Sequence, residues 1–160
     1  MKKMKHLLAL VLAGVLALAM FTACGTPDDT ETATRVKAKL LDYMQDTMPR
    51  ETKIGDDAEI QSVVADVVRE EWKQGKYDVV VREAADGKSL IVITMMGHTF
   101  TRNDVERGVL DASRASLIEQ FRYQDNTYYN RYGKHASAAD IYTVARGEQV
   151  IVAFALRFAH

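Results

Sequence analysis

Residues 140–158, DIYTVARGEQVIVAFALRF, constrain the fold more than any other stretch. Val150, Val152, Phe154, Leu156 and Phe158 alternate with smaller or polar residues, a period of two that predicts a strand with one buried face. Arg146-Gly147-Glu148 separates this run from the β-rich run before it, so the two form a hairpin. A second pair, KYDVVVREA and KSLIVITMMGHTF, is joined around Asp86-Gly87, a strong short-range hairpin signal, with Lys88 and Ser89 completing the turn. A sheet made of two such hairpins has an apolar face that other elements must cover.

Helices supply the cover. Val36, Leu40, Tyr43 and Met44 share one face of a helix expected over 32–46, which Pro49 stops. Asp56 with Glu59 three residues later resembles a capping box, and Ile60, Val63, Val64, Val67 and Val68 follow at helical spacing until Gly75 closes the helix. A third helix begins at Thr101 or Asn103, carries Val105, Val109, Leu110, Ala112, Leu117 and Phe121, and ends between Asn126 and Tyr132. The order α-α-β-β-α-β-β, after an N-terminal signal helix, predicts one α+β domain over residues 34–160. Its four-stranded, mainly antiparallel sheet carries about three helices on one face.

The N-terminus has a different character. Lys2, Lys3 and Lys5 precede an uninterrupted apolar run from Leu7 to Phe21, and small residues surround Ala23, the layout of a secretion signal over residues 1–23. A retained membrane span is the alternative, but a crossing helix needs about 20 apolar residues and this run is shorter. The tetrapeptide Phe21-Thr22-Ala23-Cys24 resembles the lipobox of bacterial lipoproteins, with Phe21 departing from the usual Leu, Val or Ile. That resemblance implies a diacylglyceryl group on the sulfur of Cys24, the only cysteine, which becomes the mature N-terminus. Two acyl chains hold a protein stably at a membrane, at about 0.8 kcal/mol per buried CH₂. Residues 24–33 then comprise the lipidated cysteine and an acidic, Gly- and Pro-bearing stretch expected to act as a flexible tether.

Loss of residues 1–23 leaves 18 basic against 22 acidic side chains, a net charge of −4. A domain of that charge is no nucleic-acid binder and does not adhere to anionic headgroups without a lipid. The short lipobox signal, acidic tether, helical pair, hairpin, long helix and terminal hairpin ending in ALRF resemble small lipoproteins of clostridial gut bacteria with a domain of unknown function. The resemblance implies a lipid-anchored place on the extracytoplasmic face of the cell membrane and brings no catalytic residue with it.

Chemistry-bearing residues are sparse. His98, His135 and His160 show no metal-ligand spacing, so neither a metal nor a cofactor beyond the covalent lipid is expected. Ser113 and Ser116, in DASRASL, lack the surroundings that activate a hydroxyl, and Glu70-Glu71 is expected as a solvated helix end. FRYQDNTYYNRYGKH stands out, because tyrosines and arginines dominate recognition surfaces and exposed tyrosines stack on sugars or peptide side chains. Tyr128, Tyr129, Arg131 and Tyr132 are therefore the candidate partner surface of a non-enzymatic module for an envelope protein, peptide or cell-wall ligand. The competing expectation for Tyr128 and Tyr132, one helical turn apart, is that they cover the end of the sheet. An envelope-modifying hydrolase using His98 or His135, both flanking the third helix, is the alternative function.

Overall fold

The structure, a computed structural model, describes residues 27–160; the signal segment and Cys24 lie outside the described residues. In chain order these form α1 (Pro27–Gln45), β1 (Lys53–Ile54), α2 (Ala58–Glu71), β2 (Asp78–Glu83), β3 (Ser89–Met95) and β4 (Phe100–Thr101). There follow α3 (Arg102–Glu106), α4 (Val109–Ala112), α5 (Arg114–Tyr132), β5 (Ala138–Arg146) and β6 (Gln149–Ala159).

Both hairpins form where the turn residues put them. β5 and β6 pair antiparallel with Arg146 opposite Gln149, and β2 and β3 with Glu83 opposite Leu90. The Asp86 carboxylate sets the second turn by accepting from the N–H groups of Lys88 and Ser89 and from the Ser89 hydroxyl, each at 2.8 Å. β6 also pairs with β3, giving the order β1-β5-β6-β3-β2.

The α+β class holds, but the sheet is mixed and six-stranded where four mainly antiparallel strands were expected. The two-residue β1 runs parallel to β5, and β4 resumes along β6 beyond the end of β3. Strands of two residues show no periodicity, so neither leaves a pattern in the sequence.

Helices cover both faces, not one. On one face Val150, Val152, Phe154, Leu156 and Phe158 pack with Val36, Leu40 and Met44 of α1 and with Leu117 and Phe121 of α5. On the other, Ile151, Ala153 and Ala155 meet Ile60, Val64, Val67 and Val68 of α2. The smaller residues alternating along β6 are mostly apolar, and the alanines are compact enough to admit a valine-rich helix. Full burial of one Val, Ile or Phe contributes about 1.5–3 kcal/mol, so two covered faces anchor β6 as the centre of the fold.

Helix boundaries also move. α1 begins at Pro27, so residues 27–33, expected as tether, are helical. Proline suits the first helical position, Asp28 and Asp29 complement the positive end of the helix dipole, and the Thr143 hydroxyl donates to the Ala33 carbonyl at 3.0 Å. The cap of α2 is Asp57, not Asp56: its carboxylate accepts from the Ile60 N–H at 3.0 Å. α2 ends at Glu71, before Gly75. The single third helix expected is three segments. Thr101 caps α3 in a reciprocal box with Asp104, Gly108 turns into the left-handed region at φ 73°, and α5 starts afresh after Ser113.

Tyr43 links α1 to α4, donating to Asp111 Oδ1 at 2.8 Å. Burial first, and then the Asp111 carboxylate, push its pKa up to about 12. The folded chain thus keeps this proton above the ordinary value of 10.0. Its contribution to stability is complete below pH 10 and is lost as pH rises through about 12. Tyr43→Phe should remove that alkaline loss, and one late-ionising tyrosine should vanish from the ultraviolet titration curve.

Candidate functional site

The candidate tyrosines lie on the last turns of α5 and divide between two sides of it. Tyr128 is half-buried, its ring stacked on Phe158 at 5.1 Å and on Tyr132 at 6.1 Å, and both tyrosines pack against the core under α1 and α5. Burial raises the Tyr128 pKa. These two cover the end of the sheet. Arg131 is exposed, with its guanidinium over the Tyr132 ring at 5.5 Å.

Tyr129 faces elsewhere and is 41% exposed. Its ring lies nearly flat on the imidazole of His135, 4.3 Å between centroids and 19° between planes. His135 Nδ1 is 2.6 Å from Asp125 Oδ2, and the other Asp125 oxygen accepts from the Ala136 N–H at 2.8 Å. Asp125 is 4% exposed, so its two oxygens are held inside the protein by these partners. A carboxylate only accepts, so Nδ1 is the donor in this pair.

Local structure explains the grouping. Asp125 and Tyr129 are four apart and share a face of α5, and Gly133, at φ 71°, reverses the chain so that His135 returns over that face. The Thr52 hydroxyl donates to the Ala136 carbonyl at 2.7 Å and fixes the returning segment from the β1 side. Glu51, Lys134 and Ser137 join Tyr129 and His135 around a depression of about 390 Å³. The Ser137 hydroxyl is directed to the Arg157 carbonyl at 3.2 Å.

His98 does not join His135. It sits edge-on to Phe100 at 5.0 Å, and Phe100 is opposite Val150 at the start of β6. His135 precedes β5 near the end of β6, where the Ser137 N–H donates to the Arg157 carbonyl. At about 3.3 Å per residue, about 23 Å of β6 separates Val150 from Arg157, the positions near which the two histidines lie. One side of His98 is covered, and the loss of water there lowers its pKa.

A larger concavity, about 540 Å³, lies between α2 and the β5–β6 turn, floored by Val68, Tyr142 and Val144 with Arg69 and Arg146 at its rim. Burial raises the Tyr142 pKa while the two arginines oppose the shift. Arg69 pairs with Asp66, and Arg146 lies over the Trp72 ring at 5.7 Å, so both guanidinium groups are already engaged. Nothing in the periodicity of α2 or β5 marks this cleft.

Among the described residues no group of three or more His, Cys, Asp or Glu side chains is placed to hold a metal ion. No helix among them is long and apolar enough to cross a membrane. Comparison with protein-family models, curated proteins and solved structures finds no match to the chain.

Proposed function

We propose that this chain is a lipid-anchored, non-enzymatic binding module of the cell envelope, carried on the extracytoplasmic face of the membrane by a diacylglyceryl group on Cys24. Its ligand surface is the depression around Tyr129 and His135, and the ligand is an envelope peptide, protein or cell-wall fragment. The observation that carries the reading is the exposed Tyr129 ring held flat against an imidazole that a buried carboxylate fixes in place. A rigid aromatic face with polar groups at its margin suits stacking on a sugar ring or a planar side chain. Tyr128 and Tyr132, half-buried against the core, leave Tyr129 as the tyrosine that meets a ligand.

Two measurements test the reading. Intact mass of the membrane-extracted protein should show a mature chain starting at Cys24 with added diacylglyceryl mass; any other start sinks the anchor. Co-sedimentation with purified cell-wall sacculi, and cross-linking in native membranes, should show binding that Tyr129→Ala weakens about 3- to 10-fold, the worth of one aromatic contact. Unchanged binding by that variant would remove Tyr129 from the surface.

The Asp125–His135 pair favours a second reading, an envelope-modifying hydrolase with His135 as acid/base. Cleavage of cell-wall material by the wild type, lost in His135→Gln while binding persists, would establish it over the first.

A further inference from the structure

We infer that the free edge of β2 pairs antiparallel with the same edge of a second copy of this chain, centred on Val80. β2 ends the sheet on one side and runs for six residues, whereas the opposite edge is the two-residue β1, too short to template a strand. Of the five large apolar side chains exposed among the described residues, Tyr77, Val79 and Val81 lie on or next to β2. Among the described residues the exposed large apolar groups are thus concentrated at one strand edge.

Hydrogen-bond parity limits how two such edges can meet. The Ala84 N–H donates to the Ser89 carbonyl, which makes Ala84 and Ser89 a hydrogen-bonded pair in the register that continues β2 against β3. Even-numbered residues of β2 therefore bond to β3, and the N–H and C=O groups of Val79, Val81 and Glu83 point to the open side. A two-fold pairing must match odd residues with odd residues, and two registers, centred on Val80 and on Val81, keep five of the six residues overlapped.

Charge selects between the two. Centring on Val81 places Glu83 opposite Val79 and Arg82 opposite Val80, with no charge partner for either. Centring on Val80 places Asp78 opposite Arg82 twice, with Val79 opposite Val81 between them. Residues 78 and 82 then form non-hydrogen-bonded pairs, in which Cα atoms approach to about 4.5 Å and side chains lie closest.

The same side chains now close the edge from within. Arg82 donates to the Val81 carbonyl at 3.2 Å, and the Asp78 carboxylate accepts the Val79 N–H. Pairing gives those two backbone groups to the facing strand and releases Asp78 and Arg82 towards each other. Their other partners, Lys76 and Glu71, form partly exposed ion pairs of the kind that contributes little and yields readily.

The test uses the full chain in two differently tagged forms, co-expressed and extracted from membranes, with capture on one tag and detection of the other. Wild-type copies should co-purify. D78R paired with D78R, and R82D paired with R82D, should each lose about ten-fold of the captured signal, because every interface pair then carries like charges. D78R paired with R82D should recover it, since each pair again joins an arginine to an aspartate, and that recovery itself shows both variants folded. Val81→Lys, at an exposed position that tolerates the change, should separate the copies as well. Wild-type copies that do not co-purify would overturn the proposal. So would capture indifferent to all these charges, or a mixed pair that stays apart while each variant keeps the wild-type circular dichroism.

Discussion

Phe154→Ala should lower the free energy of unfolding by about 3–5 kcal/mol, enough to bring a domain of ordinary stability close to its threshold. Phe154 is 1% exposed on the central strand, opposite Ile141 of β5 and Thr94 of β3. Its ring meets Phe121 edge to face at 4.9 Å and 79°, one of the contacts that tie α5 to the sheet. Truncation leaves a cavity between elements braced on both sides, so collapse around it is incomplete. Urea denaturation followed by circular dichroism measures the loss. A change below about 1 kcal/mol would mean that α5 closes over the gap, against the packing described here.

Arg157→Ala should cost about 2–4 kcal/mol, although the residue stands at the end of a strand. The Arg157 guanidinium donates to Asp57 Oδ1 at 3.0 Å and to Glu59 Oε2 at 2.8 Å, and all three side chains are largely removed from solvent. Asp57 also caps α2, and Glu59 also accepts the Ala85 N–H at 2.6 Å. Removing the arginine therefore leaves two carboxylates without their shared cation and loosens the start of α2, the β2–β3 turn and the end of β6 together. Arg157→Lys keeps the charge but not the planar Nη2 group that donates to both acids, and should recover about half of the loss. Equal stability of Arg157→Ala and the wild type would show that solvent replaces the cation at this junction.

The hairpins and the faces of the first two helices were legible because each rests on local chemistry: Asp86-Gly87, the Gly147 turn, and valines at helical spacing. The second covered face of the sheet was not, because Ala153 and Ala155 satisfy a half-exposed strand as well as a buried one, and only α2 decides between them. The break at Gly108 was obscured by apolar residues that keep helical spacing across it. Asp57 and Asp56 are adjacent and equally good caps, so the choice falls to the tertiary partner, and Arg157 stands 100 positions away from Asp57. At the candidate site the tyrosines were visible by type. Their division into two sides follows from helical phase against the core, and the Asp125–His135 pair depends on the reversal after Gly133. An Asp and a His ten positions apart carry no mark of that contact in the sequence.

The early start of α1 has a consequence for how the molecule stands. Cys24 and Pro27 are separated by three peptide units, which span at most about 11 Å. A lipid on Cys24, as proposed, would therefore hold the domain against the bilayer rather than on a long cord. The first turn of α1 lies beside Arg102 and Glu148, at the β5–β6 turn, while its last residues adjoin Met48 and Thr52 next to Ala136. Nineteen residues at about 1.5 Å each make α1 a pillar of about 28 Å. Under the proposed anchor, that length separates the lipid-bearing end of the domain from the Tyr129–His135 depression at the other.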